Sequence, residues 1–259
     1  MKKVFQNKAV LLFGLIIFVG AFASFAYANH SWGGYHWART SNPFNLKIGD
    51  NVSSAWDSYL ATTSGDWSLS SVLDATIVSG LGGKNCRATS GRVEVCNRKY
   101  GNNGWLGIAQ VWVNGTGHIT QGVVKMNDTY FSTSTYNTSA WKNLVMCQEV
   151  GHTLGLDHQD EIFDNPNLNT CMDYTNSPGS NQYPNAHDYE ELEAIYAHLD
   201  STTTIGSATP SNGNGAEVDM DDPSAWGKSL RKNGKGQNSL FGRDLGDGNK
   251  LFTFVIWAD

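Results

Sequence analysis

The stretch Gln148-Glu149-Val150-Gly151-His152-Thr153-Leu154-Gly155-Leu156-Asp157-His158 concentrates side chains able to hold a metal and move a proton. Residues 148 and 152 stand four apart, so on a helix their side chains leave from one face, a few ångström from each other. Glu149 lies about 100° further round and flanks whatever that face holds. Gly155 can take a left-handed conformation, end the helix and turn the chain, so that His158 returns to the same point from a third direction. Three donors and a carboxylate around an open position make a catalytic zinc site, in which the metal acidifies a bound water and Glu149 accepts its proton. A single histidine is usually structural or exposed, and that reading suits His30, His36, His187 and His198 one at a time. The joint pattern at 148–158 is too specific for it.

The elements that must position these residues follow from periodicity. Ser139 to Leu154 reads as a helix with Ser139 as N-cap, and it carries the motif in its last turns. A second long helix is expected over Asp188 to Leu199, with Leu192, Ile195, Tyr196 and Leu199 as its apolar stripe, and a third over Asp50 to Ala61. Asp74–Val78, Arg92–Cys96, Leu106–Val113 and His118–Met126 read as strands, with Gly115-Thr-Gly117 turning between the last two. Strands first and helices after them indicate an α+β layered domain.

Around that core the chain changes texture. Residues 1–28 combine Lys2, Lys3 and Lys8, an apolar run and Ala26-Tyr27-Ala28, the layout of a secretory signal peptide cleaved after Ala28. Residues 201–222 are rich in Ser, Thr, Gly and Asn and then acidic, which marks a linker. Residues 223–259 form a short β-rich C-terminal segment, with a hairpin signal at Asp247-Gly248-Asn249 before the run Leu251–Trp257. So short a segment either packs on the main domain or forms a small adhesive module. The net charge is −6, and after residue 28 it is −9, from 15 basic and 24 acidic residues. That balance excludes a nucleic-acid binder. The reading is an exported monomer acting on a protein or peptide, with no transmembrane segment once the signal is removed. Asp219, Asp221, Asp222 and the run Asp244–Asn249 offer oxygen ligands for calcium but match no loop of defined spacing.

The motif resembles the extended zinc signature of the metzincin metallopeptidases, H-E-x-x-H-x-x-G-x-x-H, and His-Thr-Leu-Gly-Leu-Asp-His is closest to the matrixin-like branch. A Met-containing turn beneath the metal is a family feature, and Cys171-Met172-Asp173-Tyr174 stands in the right order, 14 residues after His158. The resemblance covers residues 29–200. It implies a twisted five-stranded mixed sheet, a zinc helix, a Met-turn and a C-terminal helix. It further implies a zinc endopeptidase with Glu149 as general base, His152 and His158 as ligands, Met172 as a structural floor and Tyr174 as oxyanion stabiliser. It also brings the zinc helix beside the Met-turn, and hence a Cys147–Cys171 bridge. Cys86 and Cys96, which bracket a hairpin-like loop, make the second pair, though four cysteines allow three pairings.

One position departs from the pattern: Gln148 stands where the family has its first histidine. Three readings stay open. The Gln148 side-chain carbonyl, or a water in its place, completes a weaker zinc site. Another residue takes over, with His118, Asp157 and His187 the candidates. Or the chain is a catalytically silent protein that keeps the fold and acts as a binding or surface-interaction module.

Overall fold

A computed structural model of the chain describes residues 29–206 and 220–259. The expected signal peptide and the middle of the expected linker lie outside the described residues. In chain order the elements are β1 (His36–Trp37), β2 (Phe44–Asn51), α1 (Asp57–Trp67), β3 (Leu73–Ser79), β4 (Val93–Arg98), β5 (Trp105–Val113), β6 (His118–Asn127), α2 (Asp128–Phe131), α3 (Ser139–Thr153), α4 (Ala186–Ile195), β7 (Lys228–Lys232), β8 (Asn238–Gly246) and β9 (Asn249–Trp257).

The strands form one mixed sheet in the order β3-β2-β4-β6-β5-β9-β8-β7, with the short β1 pairing beside β6. β2, β3, β4 and β6 run parallel to their partners in that set, and β5 is the antiparallel strand at its end. The domain is α+β, as expected. The expected sheet of five strands, however, continues through β9, β8 and β7 of the C-terminal segment. β9 pairs antiparallel along the whole of β5, from Trp105 opposite Trp257 to Val113 opposite Lys250. Without it β5 would be a bare edge, and an apolar edge strand is a template for pairing with any extended chain.

The segment is fastened on both faces of the sheet because β9 alternates. Phe252, Phe254 and Ile256 join the main core, whereas Val255 packs with Trp105, Ile108, Trp226 and Phe241 in a separate cluster. The turn into β9 puts Asp247 at φ 52° and Gly248 at φ 76°, the two positive angles a tight hairpin of this hand needs.

Three expected elements are displaced. The first helix starts at Asp57 instead of Asp50, because Phe44, Leu46 and Ile48 alternate inward as a strand that runs on to Asn51. The N-cap of α3 is Thr138, whose side chain accepts from the Trp141 amide. The last helix spans Ala186–Ile195, not Asp188–Leu199. Arg39 draws the chain out of the helix there, donating to the Tyr196 and His198 carbonyls, and Leu199 is left 56% exposed. Its start is well capped: the Asn185 side chain accepts from the Asp188 amide while Asp188 accepts from the Asn185 amide.

Both expected bridges are formed, Cys86–Cys96 and Cys147–Cys171. The second ties α3 to the turn at Met172 and closes 24 residues, a constraint worth roughly 3 kcal/mol. Among the described residues no helix is long and apolar enough to cross a membrane.

Candidate active site

α3 presents Gln148, Glu149 and His152 at its C-terminal end, all fully buried. Gly155 turns the chain away at φ 102°, with the Tyr35 carbonyl so near that a Cβ would stand 2.6 Å from it. The chain then brings His158 back, and the Nε2 atoms of His152 and His158 lie 3.0 Å apart.

The other nitrogen of each ring decides what faces the gap. His152 Nδ1 is 2.8 Å from the Leu156 carbonyl, which can only accept, so this nitrogen carries the proton. His158 Nδ1 is 2.5 Å from Glu161 Oε1. Glu161 stays ionised. Burial raises its pKa, but His158, Arg231 and Ser239 outweigh that and hold it at about 2. His158 Nδ1 is therefore also a donor, and the two Nε2 atoms face each other across 3.0 Å of buried space. Such a contact needs a cation between the nitrogens, either a proton on one imidazole or a metal ion. Nitrogens bound to one tetrahedral zinc at 2.0–2.1 Å stand about 3.3 Å apart.

Gln148 is oriented by the turn below it. Its Nε2 donates to the carbonyls of Cys171 at 2.7 Å and Asp173 at 3.3 Å. The amide is thereby fixed with Oε1 as its free atom, buried and without a hydrogen-bond partner. Both Glu149 oxygens are likewise buried, with no side-chain partner and only the Ile256 backbone N–H near them. Burial pushes the Glu149 pKa well above the usual carboxylate range, partly offset by the Ile256 backbone N–H. An orphaned amide oxygen and two facing imidazole nitrogens are donors of the kind that fit a cation, with the Glu149 carboxyl apart from them.

Met172 lies under this group. A Cβ on Gly151 would meet its Sδ at 2.6 Å and Trp67 at 2.8 Å, so only glycine lets the turn pack against α3. The Tyr174 ring lies 4.9 Å from that of His158, and its hydroxyl accepts from the Trp257 amide at 3.0 Å.

The candidates to replace the missing histidine go elsewhere. His118 stands beside Asp200, Asp157 is held by Arg231, and the His187 ring packs on His30. Of the acids weighed for calcium, Asp221 pairs with Lys125 and Asp222 caps the amide of Ser224, while Asp219 lies outside the described residues.

Three participants carry no signal in the motif. Glu161 orients His158. Arg231, from β7, grips Asp157 Oδ1 at 2.6 Å and Glu161 Oε1 at 2.9 Å. Phe254, from β9, stacks on the His152 ring with centroids 4.0 Å apart and planes at 12°. Glu161, three residues past His158, was the one legible in principle, because a metal-binding histidine normally donates its second nitrogen to a carboxylate or carbonyl.

No protein-family model matches the chain, and no curated protein matches it. Among solved structures, that of myroilysin is similar at 13% identity, over 62% of this chain and 96% of that one, with a TM-score of 0.37.

Proposed function

We propose that this chain is an exported, metzincin-type zinc endopeptidase whose cleft is closed by its own last strand. The facing Nε2 atoms of His152 and His158 carry this reading, since each ring's second nitrogen is already a donor. Those two nitrogens and Gln148 Oε1 would hold the zinc, and Met172 would be its apolar floor. When bound, zinc supplies a Lewis acid that makes a water nucleophilic at neutral pH. Glu149, next to Gln148 on α3 and without a side-chain partner, takes the proton and hands it to the leaving amine. Tyr174, once released from the Trp257 amide, donates to the oxygen of the attacked carbonyl.

Closure belongs to the same reading. An extended peptide binds a sheet by adding a strand to an edge, and the edge nearest α3 is β5. β9 occupies that edge, with Phe254 lying on His152. Displacing β9 would open the edge, bare the histidines and free Tyr174 together.

A second reading is supported by the same packing: Phe254 is fully buried, like any core residue, which suits a silent protein that has sealed its cleft. The test is zinc content and chelator-sensitive peptide cleavage, measured on the intact chain and after cutting a protease site placed between residues 207 and 219. A latent enzyme binds zinc and gains cleavage on cutting. Absence of chelator-sensitive cleavage from both forms, with β9 shown to be released, selects the silent protein.

A further inference from the structure

A second group of histidines gathers away from the motif, from elements distant in sequence. His36 lies on β1, His118 opens β6, and His198 and Asp200 follow α4. His36 Nε2 is 3.1 Å from His198 Nε2 and 3.5 Å from Asp200 Oδ1. His118 Nε2 is 3.2 Å and His198 Nε2 3.7 Å from that same oxygen. The donor atoms of His36, His198 and Asp200 all lie within 4.8 Å of one another.

The surroundings dictate which atoms carry lone pairs. His36 Nδ1 is 3.0 Å from the Gly34 carbonyl and must donate to it, so its Nε2 is bare. Thr116 Oγ1 directs its proton to Asn114 Oδ1 at 2.7 Å, so it accepts from His118 Nδ1 at 3.0 Å, and His118 Nε2 is bare too. Asp200 Oδ2 receives the Arg39 amide at 3.1 Å and the Arg39 guanidinium at 2.9 Å, which turns Oδ1 toward the histidines. In their neutral rings His36 and His118 thus turn bare nitrogens toward Asp200 Oδ1, at 3.5 and 3.2 Å, and His198 Nε2 stands 3.1 Å from His36 Nε2 and 3.7 Å from that oxygen. Donors around one tetrahedral zinc at 2.0–2.1 Å stand about 3.3 Å apart. Three of the four also have an outer partner that fixes their orientation, as metal ligands do: Gly34 for His36, Thr116 with Asn114 for His118, Arg39 for Asp200.

We propose that His36, His198 and Asp200, with His118 as fourth donor, form a second metal site for zinc or a chemically similar divalent transition ion. Imidazole donors with one carboxylate select such an ion over calcium or magnesium, which take oxygen ligands. Once His118, which stands 3.2 Å from Asp200 Oδ1, closes in as the fourth donor, no open position is left and the ion is structural. It staples β1, the start of β6 and the segment after α4. His198, with half its side chain exposed, is the entry side.

The experiment is metal analysis of the full chain after loading with zinc chloride and gel filtration, for wild type, H36A/H198A and H152A/H158A. Two zinc ions are expected in wild type and one in each double variant. Zinc should also raise the Tm of H152A/H158A but not through this site in H36A/H198A. If the motif binds no metal but this site does, wild type and H152A/H158A both hold one ion and H36A/H198A holds none. Equal zinc in wild type and H36A/H198A overturns the second site and leaves the motif untouched. Should a variant not fold, zinc-edge anomalous maps from zinc-loaded wild-type crystals decide. A peak between His36 and Asp200 supports the site, and its absence overturns it.

Discussion

The two histidine groups share one local geometry and differ in what surrounds it. In each, a pair of Nε2 atoms stands about one zinc coordination edge apart, at 3.0 Å in His152/His158 and 3.1 Å in His36/His198. The group after α4 is half open to solvent at His198, and its carboxylate points at the nitrogens while arginine holds the other oxygen. The group on α3 is buried, with Phe254 lying on it, and the nearby carboxylate Glu149 has no side-chain partner. A carboxylate among the donors completes a coordination shell. A carboxylate beside the donors remains available to move protons. The difference separates a staple from a reaction centre better than the count of histidines does.

The sharpest way to break the comparison is to remove one ligand from each group. H152A should abolish chelator-sensitive cleavage by the opened chain to below detection, whereas H198A should leave turnover within about twofold, since no donor of the second group touches the cleft. Kinetic assay of the two variants side by side checks this, and similar losses in both would erase the distinction. F254A comes next. Phe254 is fully buried between β5 and α3 and stacks on His152. Its truncation should cost about 3–5 kcal/mol, read by denaturant unfolding. It should also raise cleavage by the uncut chain, because the same side chain covers the site. Destabilisation with no rise in cleavage would make β9 a structural strand only.

The two groups also differ in how much of them the sequence announces. The α3 group stands in eleven consecutive residues on a helix and turn, so spacing alone brings its side chains together. Strands β3 to β6 and β9 were legible for a similar local reason: their β-branched and aromatic residues show in short windows. The second group draws on residues 36, 118, 198 and 200, and only the sheet and the Arg39 contacts join them; one at a time His36 and His198 read as structural or exposed, and His118 only as a stand-in ligand at the motif. β7 and β8 escaped notice because Lys228–Lys232 is mostly exposed and β8 carries glycines and charges, so pairing with β9 makes them strands rather than any pattern of their own. The placement of β9 on β5 is a contact across a polar linker, and local periodicity carries no record of it. At Gln148 the sequence offered the side-chain carbonyl as one of three readings, and what it could not show is how the amide is held. The carbonyls of Cys171 and Asp173 turn its oxygen outward.

Q148H probes that last point with a moderate effect. A histidine there can keep one donor to the Cys171 carbonyl through Nδ1 and present Nε2 to the gap, replacing a neutral amide oxygen with a better zinc donor. Zinc affinity at the α3 group should tighten by about ten- to a hundredfold, measured by competition with a chelating dye, and the second group should not respond. Cleavage by the opened chain separates the two functional readings: a silent scaffold gains activity, whereas a site tuned around glutamine changes little or loses.

The smallest expected effect is that of R231A, which tests the join between the C-terminal segment and the α3 group without touching a metal donor. Arg231 is two-thirds buried and reaches both Asp157 and Glu161, so it binds β7 to the loop that carries His158. Charge-assisted contacts of this kind contribute about 1–2 kcal/mol after solvent screening. If the segment is a closure, that loss should appear twice. Global unfolding should shift modestly, and hydrogen exchange along β9 should speed up ahead of exchange in β4 and β6, because β9 can leave the sheet while the core stays folded. If the segment is an integral part of one cooperative unit, β9, β4 and β6 should speed up together. The second pattern would align β9 with the core and leave the covered histidines permanently sealed.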